Sequence, residues 1–144
     1  MFLLDTNVVS ELRKAKAGRA DKNVVAWAAG SSASSMFVSA ITVQELEIGV
    51  LLAERRDPAQ GAVLRRWLEA QVLPAFVERI LPVDTAVARR SAALHVPDLR
   101  PVRDSLIAAT ALVHGMPVAT RNVTDFGPTG VEIINPWQPA EDCT

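Results

Sequence analysis

The sequence predicts an α/β protein in three layers (α/β/α), with helices on both faces of a central parallel sheet of about five strands. Two observations carry this. Short apolar runs recur along the chain, as strands buried on both faces do in parallel sheets. Between them lie longer segments with helical signals, opened by Asp or Asn caps and two of them closed by Gly. Strands alternating with helices pair in parallel through right-handed crossovers.

In chain order, Met1-Phe2-Leu3-Leu4 forms the first strand and runs into Asp5-Thr6-Asn7. Asn7 is placed to cap a short helix to about Arg13, and Lys14 to Arg19 reads as an exposed basic loop. Asp21 caps a second helix carrying Val24, Val25 and Trp27, ended by Gly30. Met36-Phe37-Val38 is the second strand, followed by a helix over about 42–55. Asp57-Pro58, a cap followed by a first-turn proline, opens a helix to about Ala75. Arg79-Ile80-Leu81 is the third strand, and Asp84 caps the next helix. Residues 103–114 are nearly all apolar after their start, which marks a buried helix, and Gly115 stops it. Pro117-Val118-Ala119-Thr120 is the fourth strand, a loop bearing Asp125 follows, and Val131-Glu132-Ile133-Ile134 is the fifth.

A chain of 144 residues fits one domain and buries roughly 68–70% of its unfolded surface. We expect that domain over 1–137, with 138–144 as a C-terminal tail. No apolar run approaches ~18 residues, so no membrane-spanning helix is expected, and the N-terminus lacks the basic leader of a signal peptide. Cys143 is the single cysteine; it supports no disulfide and suits a reducing cytoplasm. The net charge of −1 argues against a strongly basic, non-specific nucleic-acid binder. Arginine outnumbers lysine twelve to three; genomic base composition is the simpler explanation, although Arg suits phosphate contacts.

Four acids carry the chemical argument. In a parallel sheet, strand ends and the starts of the helices that follow share one edge, where ligands bind. Asp5 ends strand one, Glu45 lies in the first turn of the helix after strand two, and Asp125 follows strand four. Asp104 joins them if the buried helix points its N-terminus at the same edge. Each has a plainer reading: Asp5 and Asp104 as helix caps, Glu45 as a complement to the helix dipole, Asp125 as turn chemistry. Gathered at one edge they would repel, and some would protonate unless a cation is present. Mg²⁺ or Mn²⁺ fits, since such ions take oxygen ligands and keep several waters. No pair of histidines or cysteines offers a zinc site, His95 and His114 being far apart. A bound ion of this kind activates water and stabilises charge on a phosphate, and phosphodiester hydrolysis uses both.

Four motifs in order, Leu4-Asp5-Thr6-Asn7, Glu45 after Ser39 and Thr42, Asp104 leading Ile107-Ala108-Ala109-Thr110-Ala111, and Thr120-Arg121-Asn122 with Asp125-Phe126, resemble the PIN-domain family. Residues 3–14 and the ending Gly130-Val131-Glu132-Ile133-Ile134-Asn135-Pro136-Trp137 are similar to its VapC-type toxins of bacterial type II toxin–antitoxin systems, in particular the FitB-like branch. The resemblance runs from Met1 to about Trp137. It implies a metal-dependent endoribonuclease in which Asp5, Glu45, Asp104 and Asp125 hold one or two Mg²⁺ or Mn²⁺ ions. It further implies that Thr6 orients Asp5 and that Thr120 and Asn122 line the site. Asn122 stands where many relatives carry another Asp. Members of that family commonly cut tRNA or other structured RNA and form homodimers. A small antitoxin silences them, setting a basic side chain against the acids and binding the operon's DNA.

The remaining features take plainer readings. Trp27 and Trp67, with Val63, Leu64 and Leu68, sit at helical spacing among apolar neighbours and read as core or dimer packing. Arg13, Lys14, Lys16 and Arg19 read as a solvated loop, yet lie close enough to Asp5 in sequence to be the best candidates for RNA phosphate contacts. Arg55-Arg56, Arg65-Arg66 and Arg89-Arg90 read as exposed helix residues. Two other functions compete with the nuclease. One is a catalytically silent module that uses the acids to dock a basic peptide of a DNA-binding partner. The other, phosphoryl transfer through an aspartyl intermediate, needs an acid at position 7 and a late lysine; position 7 is Asn and no lysine follows Lys22.

Overall fold

In a computed structural model, which describes residues 1–139, five strands run parallel in one sheet. They are β1 (Phe2–Leu4), β2 (Met36–Ser39), β3 (Ile80–Leu81), β4 (Val118–Ala119) and β5 (Ile133–Ile134). Their order is β3-β2-β1-β4-β5. The chain builds outward from β1 through β2 to β3, then crosses back to lay β4 on the other side of β1. That reversal opens a crevice between the carboxyl ends of β1 and β4, where ligands bind in open α/β sheets. Leu4 pairs with Ala119 in the β1–β4 ladder, so the next residues, Asp5 and Thr120, stand side by side at the crevice floor.

The helices are α1 (Thr6–Arg13), α2 (Lys22–Ala29), α3 (Ala40–Arg56), α4 (Pro58–Trp67), α5 (Leu73–Ala75), α6 (Thr85–Leu94), α7 (Val102–His114) and α8 (Val123–Phe126). They cover both faces of the sheet. Leu4 and Val38 pack with Val8, Leu46, Val50 and Leu68 on one side. Leu3 and Val118 pack with Ile107, Ala108, Ala111 and Phe126 on the other. Consecutive residues Leu3 and Leu4 thus point into opposite cores, as a pleated strand demands, and both are wholly buried. This accounts for the unbroken apolar run that opens the sequence. Trp27 and Trp67 pack at the margin of the first core, with the Trp27 ring edge-on to Phe2 at 5.5 Å. No helix among the described residues is long and apolar enough to cross a membrane. Cys143 and the last residues of the expected tail lie outside the described residues.

Several local expectations change. The cap of α1 is Asp5, not Asn7: Asp5 keeps extended backbone while its Oδ1 accepts the Thr6 N–H. Helix α3 starts at Ala40 because Ser39 caps it, its Oγ accepting the Ile41 N–H at 3.0 Å. Glu45 consequently sits in the second turn rather than the first, too far along to complement the dipole. The helix expected from Pro58 to Ala75 runs regularly to Trp67 and then widens into a π turn over Leu68–Val72. Pro74 explains this, since it donates no N–H and its ring crowds the carbonyl four residues back. Asp104 is not a cap either; Pro101 holds the N-cap position of α7 without a side-chain cap, and Asp104 lies within the first turn. Asp125 lies on the one-turn helix α8 rather than in an open loop.

The basic residues differ too. The stretch read as a basic loop contains a 3₁₀ turn, Ala15–Ala17, and Lys14 pairs with Glu11 at 3.0 Å. Arg65, expected to be exposed, is drawn between α3 and α4, where it bonds Glu47 at 2.7 Å and Glu54 at 2.9 Å. The two helices approach so closely that a Cβ on Gly61 would lie 2.4 Å from Glu54 Cα.

Candidate active site

Asp5 is the centre of the crevice. Its carboxylate is 4% exposed and is held by neutral donors. Oδ1 accepts the Thr6 backbone N–H at 2.8 Å, and Oδ2 accepts the Thr120 hydroxyl at 2.8 Å and, more weakly, the Asn7 amide at 3.4 Å. Burial raises its pKa to about 6 from an ordinary 3.8. The two short hydrogen bonds oppose that rise, and the negative charges of Asp104 and Glu45 add to it. Thr120 is itself wholly buried and accepts the Asn122 N–H at 2.9 Å, which ties the end of β4 to the start of α8.

Thr6 joins Asp5 to the second acid. Its backbone N–H orients Asp5, while its hydroxyl donates to Glu45 Oε1 at 2.8 Å and lies 3.3 Å from the buried Thr42 hydroxyl. The other oxygen of Glu45 stands 3.9 Å from Arg103 Nε. The first turn of α7 does reach this edge. Glu45, Pro101, Val102, Arg103 and Asp104 line one cleft of about 360 Å³. The pKa of Asp104 is raised, chiefly by burial and then by the charges of Asp125 and Glu45; Arg103 pulls it back. Asp125 is exposed on α8 and enters the site through that field.

The four sequence-selected acids therefore share one electrostatic neighbourhood at the carboxyl edge of the sheet, with Thr6 and Thr120 hydrogen-bonded into it. Asn122 takes part through its backbone. Among the described residues no three His, Cys, Asp or Glu side chains form a ready-made metal cage. Like charges hold such groups apart. The donor set is nonetheless all hard oxygen, with one buried acid and three more accessible ones, and this suits an ion that keeps most of its waters and takes few carboxylates.

Three site residues escaped the sequence reading. Asn7, taken there for a cap, instead braces the crevice: its amide donates to Asp5 and Thr120, and its carbonyl oxygen accepts the Arg121 N–H at 3.4 Å. Thr42 was visible as a neighbour of Glu45 but carried no assigned role. Arg103 adjoins Asp104 in sequence, and that adjacency was its one signal.

Known proteins share the sequence and the fold of this chain. The PIN domain profile matches residues 2–126. VapC ribonuclease Y4jK of Sinorhizobium fredii is 41% identical over 97% of this chain and all of its own length. Toxin FitB of Neisseria gonorrhoeae is 39% identical over 95% of this chain and 99% of its own. The structure of FitAB bound to a DNA fragment superimposes with a TM-score of 0.85 at 36% identity, covering 99% of both chains. On its sequence, its sheet order and the full-length match to these relatives, the chain belongs to the PIN-domain family.

Proposed function

We propose that the chain is a Mg²⁺- or Mn²⁺-dependent endoribonuclease, the toxin of a toxin–antitoxin pair, acting on tRNA or other structured RNA in the cytoplasm. The observation that carries this reading is Asp5: a buried carboxylate with neutral donors only, beside three further acids, at the crevice between β1 and β4. Such a group calls for a cation from outside the chain. Asp5, Glu45, Asp104 and Asp125 would hold it, and once bound it supplies charge neutralisation at the phosphate and an activated water. The chain's own residues do the positioning. Thr120 and the Thr6 N–H fix both oxygens of Asp5, and the Thr6 hydroxyl fixes Glu45. Lys16 and Arg19, just beyond α1, are candidates for contacts to RNA phosphates.

The relatives supply the partners. The names of VapC ribonuclease Y4jK and toxin FitB support the nuclease and toxin roles, and the FitAB structure bound to a DNA fragment supports an assembly with a DNA-binding antitoxin. A homodimer completes the proposed assembly. The test is cleavage of an RNA pool by purified protein. Cleavage is expected with Mg²⁺ or Mn²⁺, is lost on chelation, and is lost in Asp5→Asn. A protein that binds its antitoxin but cleaves no RNA with either ion is the silent docking module instead.

A further inference from the structure

We propose that Arg103 is a phosphate-binding residue of the acidic cleft, held against Glu45 in the free protein and turned to an RNA backbone phosphate when Glu45 is engaged elsewhere. The inference rests on the ribonuclease reading and names one substrate contact of that site.

The position of Arg103 is electrostatically unfavourable for the helix that carries it. It occupies the first turn of α7, where the helix dipole favours anions and disfavours cations. Nor does packing hold it there, since its side chain is 53% exposed. What compensates is the cleft, whose lining it shares with Glu45 and Asp104. Among the described residues, Arg103 is the one cation within ion-pair distance of any of the four acids. Other basic side chains nearby are engaged elsewhere: Lys14 with Glu11, Arg13 over the Trp67 ring and Arg121 over the Trp137 ring.

The contact with Glu45 is loose. At 3.9 Å from Nε to Oε2 it is an ion pair without a hydrogen bond, so Glu45 does not saturate the planar fork of guanidinium donors. That fork matches two oxygens of a phosphate. A cleft lined by the carboxylates of Glu45 and Asp104, with Asp5 and Asp125 in the same field, repels the polyanion it is proposed to cut. A single loosely paired, half-exposed arginine inside it offers the phosphate a seat and leaves the carboxylates to the cation. Because the fork is shared between Glu45 and solvent, the exchange needs only a side-chain rotation.

The test measures binding of a fluorescein-labelled, unstructured RNA oligonucleotide in EDTA across a range of KCl concentrations, alongside Mn²⁺ titration by calorimetry. Arg103→Ala is expected to weaken RNA binding about ten-fold and to reduce the slope of log K against log salt by about 0.7, the loss of one phosphate contact on a single strand. Arg103→Lys keeps the charge and is expected to restore the slope with part of the affinity. Glu45→Gln is expected to tighten RNA binding, and by less when combined with Arg103→Ala. Mn²⁺ affinity of Arg103→Ala is expected to equal or exceed that of the unsubstituted protein. An unchanged salt slope in Arg103→Ala, or weakened Mn²⁺ binding in that variant, overturns the proposal. If the unsubstituted protein cleaves RNA while the Arg103→Ala slope is unchanged, this inference alone fails. If it binds RNA through Arg103 but cleaves none with Mn²⁺, the ribonuclease reading alone fails.

Discussion

The buried carboxyl of Asp5 gives the stability of the free protein a pH dependence of its own. Its pKa is about 6 when folded against an ordinary 3.8, so the folded state holds the proton over a range where the unfolded state has released it. The contribution of Asp5 to stability then falls as pH rises from about 4 to about 6 and stays reduced above, by a cost on the order of 3 kcal/mol. Asp5→Asn removes the charge and can keep the Thr6 contact. In EDTA at pH 8 it is expected to melt above the unsubstituted protein, with the gain vanishing near pH 4; a lower melting point at pH 8 would refute the account. Thr120 acts on the same group, because its hydroxyl bond opposes the rise in pKa. In Thr120→Val that opposition is gone, and the alkaline-going limb of the cleavage profile should move to higher pH. A fall in rate with the limb unmoved would make Thr120 merely structural. Asp5 was legible in the sequence because it directly follows an apolar strand, and Thr120 only through the family resemblance, since it was read as the last residue of its strand. Asn7 was not, since a polar residue before a helix has the same signature whether it caps the helix or braces a site.

At the level of elements, caps were the most legible signal: Asp21, Asp57 and Asp84 each accept helix N–H groups as their positions suggest. Where two polar residues competed, sequence could not rank them. Ser39 rather than Thr42 opens α3, and this moved Glu45 one turn along the helix, onto the Thr6 hydroxyl. The contact between α3 and α4 was invisible altogether, because Gly61 and Arg65 matter only through what faces them. Gly61 admits the Glu54 backbone, and an alanine Cβ would meet Glu54 Cα at 2.4 Å. Backbone cannot step aside as a flexible side chain can, so Gly61→Ala is expected to cost about 1–3 kcal/mol despite its better helix propensity. Urea unfolding at constant m-value measures it, and a stabilised variant would show that the two helices can separate freely. The cost should leave cation binding untouched, because the contact lies outside the crevice.

Across the whole molecule, sheet order decides where chemistry is possible, and that order was the least legible feature of the chain. Alternation of strands and helices gives parallel pairing, but which strand lies beside β1 depends on contacts far apart in sequence. The observed order places the reversal between β1 and β4, and that reversal turns two separate polar strand ends into one crevice. Acids from the end of β1 and from α3, α7 and α8 then converge although they span positions 5 to 125. Their repulsion burdens the folded state only, so a divalent cation that relieves it must stabilise the fold. At a concentration a hundred times its dissociation constant, the gain is about 2.7 kcal/mol, which corresponds to a rise in melting temperature of roughly 5–10 °C for a chain of this size. The proton on Asp5 competes for the same oxygens below its pKa of about 6. The Mn²⁺-induced rise should therefore be large at pH 8, small at pH 5 and strongly reduced in Asp5→Asn. An equal rise at both pH values, or an undiminished rise in that variant, would place the cation elsewhere on the molecule and remove the physical basis for treating the crevice as a metal centre.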